Sequence, residues 1–410
     1  MNLFAPFSAL RNARFARLYA AQTVSQIGDA FTWVALALLA YQLAGKDAAV
    51  VLGVALTLRV SAFVLLSPLA GVLADRLERK AILVTCHFGR AALIALMPFV
   101  TEVWQVYILM FAVNALTAFF TPTNQATVPL VVGRDDSGPA FALSSATTEL
   151  LGILGPGFAG IFAAVIGGRS LFFLDAASFV LAGLLMLTLP PLRANKGVGL
   201  ERSTWADMRD GSARLWRDAP VRFALLMELV ASLAGALILV VTVVRVQGSL
   251  KLGETQYGWV MALYGLGATL ASLAVGAAGK RVPRTTFILG GALLTSLAIL
   301  PGDVAPLAPL MALWLLAGVG QNWVNLPTET LLAERTEDSA QGRVYGAHFA
   351  WSHLWWAFAY PIAGFLSTRF PDRAFLYGGL LALAMLALVW LSAHPSGKGT
   401  GTARALTDQT

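Results

Sequence analysis

The chain alternates between long apolar runs and short polar connections over its whole length. An α-helix needs about 20 apolar residues to cross the roughly 30 Å hydrocarbon core of a bilayer. The runs predict an all-α membrane protein with twelve transmembrane helices, at residues 16–43, 49–74, 81–101, 104–131, 139–167, 170–190, 220–246, 257–279, 285–301, 306–332, 341–368 and 374–393. Helices are expected because each one satisfies its own backbone hydrogen bonds inside the lipid.

The second half of the chain repeats short pieces of the first. The charged turn at residues 71–80 returns in weaker form at residues 276–284, which is 205 positions later in a chain of 410 residues. Three further matches keep nearly the same offset and order: Pro122-Thr123 with Pro327-Thr328, Ala159-Gly160 with Ala363-Gly364, and Arg14-Phe15-Ala16 with Arg222-Phe223-Ala224. The repeat predicts two pseudosymmetric six-helix bundles, at 1–190 and 220–393, an arrangement typical of transporters.

Composition and charge place and orient these bundles. Hydrophobic residues make up 57% of the chain, charged residues 12%, and the mean hydropathy is +0.71. One set of alternate loops and the termini carry 21 basic residues, whereas the other set carries five. The positive-inside rule therefore predicts a multi-pass protein of the plasma membrane with both termini cytoplasmic. Basic loops beside anionic lipid account for the pI near 9.7, so no nucleic-acid partner is expected.

Several function classes lack their sequence signals. The chain has no Gly-x-x-x-x-Gly-Lys-Ser/Thr loop, so we expect an ion or solute gradient rather than ATP to supply energy. Its one cysteine, Cys86, cannot form an internal disulfide. No nucleophile or metal-ligand cluster accompanies the polar residues, so we expect neither an enzyme nor a cofactor or metal. No removable signal peptide is expected at the N-terminus.

Two segments lie outside the predicted spans. Residues 191–219 form a cytoplasmic connecting loop with a short amphipathic helix, which we expect to lie on the membrane surface. The tail at 394–410 is rich in Gly, Ser and Thr and is expected to be disordered.

Charges inside the spans are the first candidate functional residues, because a charge at the bilayer centre costs about 2.5–3.5 kcal/mol and usually faces a cavity. Asp29 shares one helical face with Gln22, Gln26 and Trp33, which predicts that this face lines a central cavity. Arg59 and Arg90 are further cavity-lining candidates. Alternatively, the two arginines neutralise Asp29 and Glu149 in static pairs.

Glu149 and His353 occupy equivalent positions of the two predicted halves. A buried carboxyl and an imidazole can both titrate near neutral pH, so Asp29, Glu149 and His353 are the proton-coupling candidates. The alternative for His353 and the nearby His348 is a packed, hydrogen-bonded histidine. Glu228 is left undecided, and Glu329 and Asp175 lie near span ends, where snorkelling or capping explains them more simply.

Amides and aromatic rings gather in the tenth and eleventh spans. Large amphipathic or cationic molecules are bound by such surfaces through burial, stacking and cation–π attraction. Ordinary packing explains any single ring equally well. The further cavity-lining candidates from these spans are Gln321, Asn322, Asn325, Trp351 and Trp355.

The turn at residues 71–83 resembles the loop between helices two and three of the major facilitator superfamily, with Glu78 in place of a usual glycine. Gly28-Asp29, the run at 171–179 and Gly342-Arg343-Val344 resemble its drug–proton antiporter branch, which includes macrolide-efflux and enterobactin-exporter proteins. The resemblance implies the major facilitator fold, with two bundles that rock around a central site.

The resemblance also implies two groups of site residues. One is a conformational latch, in which Asp75 of the turn reaches the helix that begins near Gln341; its members are Gly71, Asp75, Arg76, Arg79, Lys80 and Arg343. The other is the antiporter motif of the fifth span, which in the family seals one side of exporters; here it is Gly155, Pro156, Ala159 (in place of a glycine) and Gly160. Headgroup anchoring and plain helix packing are the respective alternatives.

Residues and resemblance together predict a secondary active transporter, a proton-coupled exporter of bulky amphipathic organic compounds that works by alternating access. Its expected partners are a small-molecule substrate, protons and the lipid bilayer, and we expect a monomer. The alternatives are a dedicated metabolite or siderophore exporter, a lipid or lysolipid transporter, and a non-transporting membrane sensor.

Overall fold

The computed structural model describes residues 5–133, 137–192, 204–278, 281–337 and 340–393, and within them the regular structure is helical throughout. Thirteen α-helices follow one another in these ranges: α1 Ala13–Ala44, α2 Ala48–Arg76, α3 Arg79–Leu96, α4 Val103–Val132, α5 Ser137–Ile166, α6 Leu171–Leu187, α7 Thr204–Arg217, α8 Ala219–Val243, α9 Glu254–Ala278, α10 Arg284–Ile299, α11 Leu307–Arg335, α12 Gln341–Arg369 and α13 Ala374–Ala393. The expected tail at 394–410 lies outside the described residues.

Polar caps start the first helix of each half. The Asn12 side chain accepts hydrogen bonds from the amides of Arg14 at 3.0 Å and Phe15 at 3.2 Å, and so satisfies donors that an open helix end leaves unpaired. Asp218 does the same for α8 through the amide of Val221 at 3.1 Å. Both caps precede long apolar stretches, so the sequence itself marks where a span begins.

The helices form two bundles with the same internal pairing. In the first bundle, α1 packs on α5 and α6, and α4 packs on α2 and α3. In the second, α8 packs on α12 and α13, and α11 packs on α9 and α10. The repeat in the sequence also falls at equivalent places: Pro122 and Pro327 lie inside α4 and α11. The predicted pair of pseudosymmetric six-helix bundles is confirmed.

Length and hydropathy make this a multi-pass membrane protein. Nine segments of the described residues are long and apolar enough to cross a bilayer, and the first of them, Ala13–Phe63, runs through α1 and into α2. Neither α5 nor α12 is among the nine. The polarity of α12 comes partly from His348 and His353, whose positions are described below.

Backbone contacts join the halves at one end of the bundle. We call this the far end, where α1 and α8 finish; the terminal end is where α1 begins and α13 finishes. Gly160 of α5 meets Gly258 of α9 so closely that a Cβ on Gly160 would lie 2.5 Å from the Gly258 Cα. By pseudosymmetry, a Cβ on Gly364 of α12 would lie 3.1 Å from the carbonyl oxygen of Ala49 in α2. Any side chain at Gly160 would force the backbones apart, whereas one at Gly364 would require a smaller shift.

A polar network reinforces the far end. Glu254 of α9 accepts a hydrogen bond from the Gly168 amide at 2.9 Å and one from the Gln42 amide group at 3.2 Å, and both partners belong to the first bundle. Arg169 holds Gln42 in turn, through a bond of 2.8 Å to its side-chain oxygen. The glycine contacts and these hydrogen bonds therefore hold the two bundles together at the same end.

The connecting helix α7 packs on the second bundle, and its position on the membrane surface stays a prediction. It packs against α12, where the Trp351 indole donates to the Ser212 hydroxyl at 3.2 Å and Trp216 meets Trp351 edge to face at 5.3 Å. The part of the connecting loop before α7, at 193–203, lies outside the described residues.

Candidate functional site

A cavity of about 420 Å³ lies between the two bundles at mid-depth. Most of the polar residues that line the cavity belong to the first bundle, and α9 of the second bundle contributes Tyr257, Met261 and Tyr264. The remaining lining is largely apolar, so the cavity combines a few polar groups with aromatic and aliphatic walls, as ligand sites generally do. The lining residues predicted from the sequence are Gln26, Asp29, Trp33 and Arg59.

Asp29 and Arg59 are the charged groups of this cavity. The Asp29 side chain is partly exposed and makes no hydrogen bond to any residue in the described part of the chain, although Arg59 and Arg90 lie within electrostatic range of it. The Arg59 guanidinium carbon lies 4.4 Å from the ring centroid of Trp33, a cation–π geometry. The cavity therefore presents the partly exposed carboxylate of Asp29. The neighbouring arginine, Arg59, is in contact with the ring of Trp33.

A second carboxylate of the first bundle lies between α6 and α1. Asp175 of α6 is fully buried and accepts hydrogen bonds from the Thr32 hydroxyl at 2.5 Å and the Ser178 hydroxyl at 3.2 Å. We expected capping or snorkelling at a span end. The structure instead places Asp175 against α1, because Gly28 has no side chain and lets Asp175 and Ser178 approach. In the sequence, the one hint of this contact is that Gly28-Asp29 and the run at 171–179 both resemble the same branch of transporters.

Arg90 supplies the compensating charge in the same bundle. It is only 2% exposed, and its guanidinium carbon lies 4.5 Å from the Phe120 ring centroid and 4.3 Å from that of Phe179. It also bonds the Cys86 carbonyl at 3.3 Å and faces His87 Nδ1 at 3.2 Å. Arg90 was predicted to line the cavity, but its side chain packs between α4 and α6 and does not line the central cavity.

Gln22 lines a neighbouring pocket of about 230 Å³, between α1, α4 and α5. Its side-chain oxygen accepts a hydrogen bond from Asn124 at 3.2 Å, and Gln26 donates to the Thr148 hydroxyl at 2.9 Å. The polar face predicted for α1 is therefore divided between this pocket and the central cavity.

A further cavity, of about 580 Å³, lies between the halves toward the terminal end. His353 lines it, with Nδ1 facing the Phe349 carbonyl at 2.8 Å and the ring 3.8 Å from that of Phe349. Phe63 of α2 packs 6.2 Å from both rings. His353 therefore reaches a space between the halves, as its pairing with Glu149 suggests, but the surroundings of the Glu149 side chain lie outside the described residues.

His348 lies on the wall of this cavity between two carboxylates. Its Nε2 is 3.0 Å from both carboxylate oxygens of Glu228 in α8, and its Nδ1 is 3.5 Å from an oxygen of Glu329 in α11. Sequence reasoning left Glu228 undecided and assigned Glu329 to a span end. These residues lie on three helices that are distant in sequence, and no spacing rule joins them.

The predicted latch is only partly described. Arg79 donates to the Ala126 carbonyl of α4 at 2.6 Å, and Lys80 donates to the carbonyls of Leu187 at 2.9 Å and Leu189 at 2.6 Å, so the start of α3 is tied to α4 and to the end of α6 within the first bundle. Arg343 pairs with Asp210 of α7 at 2.9 Å. The surroundings of Gly71, Asp75 and Arg76 lie outside the described part of the structure.

The antiporter motif of the fifth span lies at the join between the halves. Gly155 packs against Ala30 of α1, and Gly157 against Ala262 of α9. Ala159 is fully buried, and Gly160 makes the glycine contact of the far end. The surroundings of the Pro156 ring lie outside the described residues.

The amides and tryptophans of the second bundle face its own helices. Asn322 donates to the Ala268 carbonyl and the Ser272 hydroxyl, both at 2.7 Å, and Gln321 donates to the Asn325 side chain at 3.4 Å. Trp355 donates to the Leu225 carbonyl at 3.1 Å, and Trp351 contacts α7. The cavities described above are lined by other residues than these five candidates.

Comparisons with known proteins agree with this architecture. The model of the Major Facilitator Superfamily matches the chain twice, over residues 18–244 and 224–408. The chain is 26% identical to an uncharacterized MFS-type transporter, YfiS of Bacillus subtilis, over 80% of this chain and 81% of that protein. It is 25% identical to the multidrug resistance protein MdtG of Dickeya zeae, over 80% of each chain. Among solved structures, the nucleoside transporter NupG superposes with a TM-score of 0.72 at 12% identity, over 92% of this chain and 98% of that one, and shows the shared fold.

Proposed function

We propose that this chain, which belongs to the Major Facilitator Superfamily, is a proton-coupled exporter of bulky amphipathic organic compounds. The family makes it a multi-pass membrane transporter and not an enzyme. Export, proton coupling and the substrate class are the parts that we propose.

The central cavity carries this proposal. It lies between the halves, where a rocking motion can expose it to each side in turn, and it presents the Asp29 carboxylate among Trp33, Tyr257 and Tyr264. A carboxylate with aromatic walls suits a flat organic cation through charge attraction and stacking. The MdtG relative is named for multidrug resistance, which agrees with such a substrate.

The far-end contacts support alternating access. Gly160 with Gly258, and Gly364 with Ala49, bring the halves into backbone contact at one end, while the cavity of His353 separates them nearer the other. We assign the terminal end to the cytoplasm, because the loops there carry most of the basic residues. Export then proceeds from the terminal end to the far end, against the inward movement of protons.

The test is efflux of ethidium, a flat aromatic cation, from cells expressing the protein, with and without a protonophore. We expect expression to lower ethidium retention and the protonophore to abolish the difference. The paired variants Gly258→Leu and Gly290→Leu provide a structural control. A side chain at Gly258 would meet the Gly160 backbone and keep the far end from closing, whereas no neighbouring atom lies within 4 Å of a Cβ at Gly290.

We expect Gly258→Leu to lose efflux and Gly290→Leu to retain it at equal membrane levels. Efflux that survives the protonophore would contradict proton coupling. Active Gly258→Leu protein would contradict closure of the far end. If ethidium is retained equally with and without the wild-type protein, the substrate class is wrong.

A further inference from the structure

The pocket of about 230 Å³ between α1, α4 and α5 is lined mainly by amides and hydroxyls, and we call it the amide pocket. Its polar lining residues are Gln22, Asn124, Gln125, Ser144 and Thr148. None of the residues described in its lining is charged. The amide pocket therefore suits an uncharged polar group rather than an ion.

Two buried polar atoms of the amide pocket have no hydrogen-bond partner among the described residues. They are the side-chain oxygen of Asn124 and the hydroxyl oxygen of Ser144. Asn124 is only 5% exposed, and its amide nitrogen donates to the Gln22 oxygen at 3.2 Å, which leaves the amide oxygen as the unpaired atom. Buried polar atoms are normally hydrogen-bonded, and an unpaired one is costly. A ligand group that donates a hydrogen bond is therefore favoured in this pocket.

The amide pocket adjoins the central cavity. Thr148 lines both spaces, and its hydroxyl accepts a hydrogen bond at 2.9 Å from Gln26, which also lines the central cavity. Gln22 and Asp29 are seven residues apart on one face of α1, which is about 10 Å along the helix axis. Gln125 also lines the terminal-end cavity of His353. The amide pocket therefore lies on the side of Asp29 from which an exported substrate enters.

We propose that the amide pocket is a specificity subsite for aromatic cations that carry an amino or hydroxyl group. The cationic ring lies in the central cavity near Asp29, and its amino or hydroxyl group donates a hydrogen bond to the Asn124 oxygen and forms a second one with the Ser144 hydroxyl. The subsite deepens the proposed function and rests on its assignment of cationic substrates to the central cavity.

Such a subsite adds selectivity that charge attraction alone does not supply. An analogue of the same shape and charge but without the donor group would leave the buried Asn124 oxygen unpaired. Sites built to bind a substrate hydrogen-bonding group discriminate against such analogues for this reason. Among flat cations, the protein should therefore prefer those with a donor group at an end of the ring system.

The test compares ethidium, which carries two amino groups on its fused rings, with deaminated ethidium, the same ring cation without them. Calorimetric titration of the purified full chain in detergent measures the affinity for each. The variants are Asn124→Leu and Ser144→Ala, with Asn114→Leu as the control. Asn114 is buried on the same helix as Asn124, but it donates to the Met110 carbonyl at 2.7 Å and lines none of the cavities described above.

We expect Asn124→Leu to weaken ethidium binding about fivefold, the effect of losing one hydrogen bond, and to leave deaminated ethidium within about twofold of wild type. The amino groups also change the charge distribution of the ring. The contact is therefore isolated by comparing the two ligands across the variants, and not in the wild type alone. Asn114→Leu should change both affinities by the same factor or leave both unchanged.

The Ser144→Ala variant separates binding from folding. The hydroxyl has no partner among the described residues, so its removal should leave the thermal midpoint of the ligand-free protein unchanged or raise it. Ethidium binding should nevertheless weaken about threefold, while the affinity for deaminated ethidium stays the same. This variant decides the matter if Asn124→Leu, which also leaves the Gln22 oxygen without its partner, fails to fold.

Transport in liposomes distinguishes failure of the subsite from failure of the proposed function. Wild-type protein should accumulate ethidium under an imposed pH gradient and exchange ethidium for ethidium at equal pH on both sides. If the wild type neither binds nor transports ethidium, the proposed substrate class is wrong and the subsite with it. Binding without pH-driven accumulation would contradict proton coupling and leave the affinity comparison to decide the subsite. If ethidium is bound and transported, but the variants change the affinities for the two ligands equally or not at all, the subsite alone is wrong.

Discussion

The two bundles share a fold but compensate their buried charges in different ways. In the first bundle the carboxylates of Asp29 and Asp175 lie near two arginines, Arg59 and Arg90, so the described charges sum to zero. In the second, His348 lies between the carboxylates of Glu228 and Glu329. Arginine stays protonated under all ordinary conditions, whereas histidine gains and loses its proton near neutral pH.

The contrast indicates that the two pseudosymmetric bundles have different roles, which we call the division of labour. The arginines keep a fixed positive charge near Asp29 and Asp175 regardless of pH, so the accessible carboxylate of Asp29 can serve as a constant contact for a cationic substrate. A histidine between carboxylates makes the charge of the second bundle depend on bound protons. We therefore place substrate recognition mainly in the first bundle and proton exchange mainly in the second, and four variants test this division.

The largest effect is expected from Arg90→Leu. Removing this buried cation leaves Asp175 without the arginine near it and Asp29 with Arg59 alone, and an uncompensated buried charge typically costs about 3–5 kcal/mol. We expect a marked loss of membrane-inserted protein and a lower thermal midpoint in detergent. The double variant Arg90→Leu, Asp175→Asn should regain part of that midpoint, since it removes a stranded charge. An unchanged midpoint in Arg90→Leu would show that the first bundle does not depend on arginine for its balance.

The Glu149→Gln variant can break the comparison outright. Glu149 belongs to the first bundle and is a proton-coupling candidate whose surroundings lie outside the described structure. Division of labour predicts that Glu149→Gln keeps most of its pH-driven ethidium accumulation in liposomes. If accumulation is lost while equal-pH exchange survives, the first bundle carries a coupling proton after all, because the neutral amide fixes the uncharged state.

Asp29→Asn sharpens the role of the first bundle. Without the carboxylate, the cavity loses its attraction for cations, and we expect ethidium to bind about tenfold more weakly, a loss of about 1.4 kcal/mol. A neutral transported compound should be affected much less. Fluorescence titration of purified protein measures the ethidium affinity, and Asp47→Asn, at an exposed position beyond α1, is the matched control. Equal losses for cationic and neutral compounds would instead make Asp29 a proton carrier.

Much of the fold could be predicted from the sequence, because membrane spans depend on local composition. Apolar runs define the helices, and the repeat at half length defines the two bundles. The glycine motif of α5 was also informative: the close contact of Gly160 with Gly258 requires residues without side chains, and glycine is visible in the sequence. The polar face of α1 predicts a cavity lining, and Asp29 and Trp33 of this face line the central cavity.

The charge clusters could not be predicted, because they depend on contacts between distant helices. Asp175 reaches Thr32 of α1 because Gly28 leaves room for it, and His348 and Glu228 are 120 residues apart. The sequence also did not show whether a single tryptophan faces a cavity or packs against another helix. Trp33 faces the cavity and Trp351 faces α7, although both lie in spans that also carry polar residues.

The smallest effect is expected from His353→Gln, which compares the two histidines of α12. His353 lines the same cavity as His348, but its ring bonds the Phe349 carbonyl within its own helix and stacks on Phe349, and no carboxylate in the described residues lies within ion-pair distance of it. Without a carboxylate to exchange protons with, it should contribute little to coupling. We expect pH-driven accumulation to fall by no more than about twofold, against at least about tenfold for His348→Gln. Equal losses in the two variants would mean that access to the cavity, rather than the carboxylate partners, selects the coupling histidine.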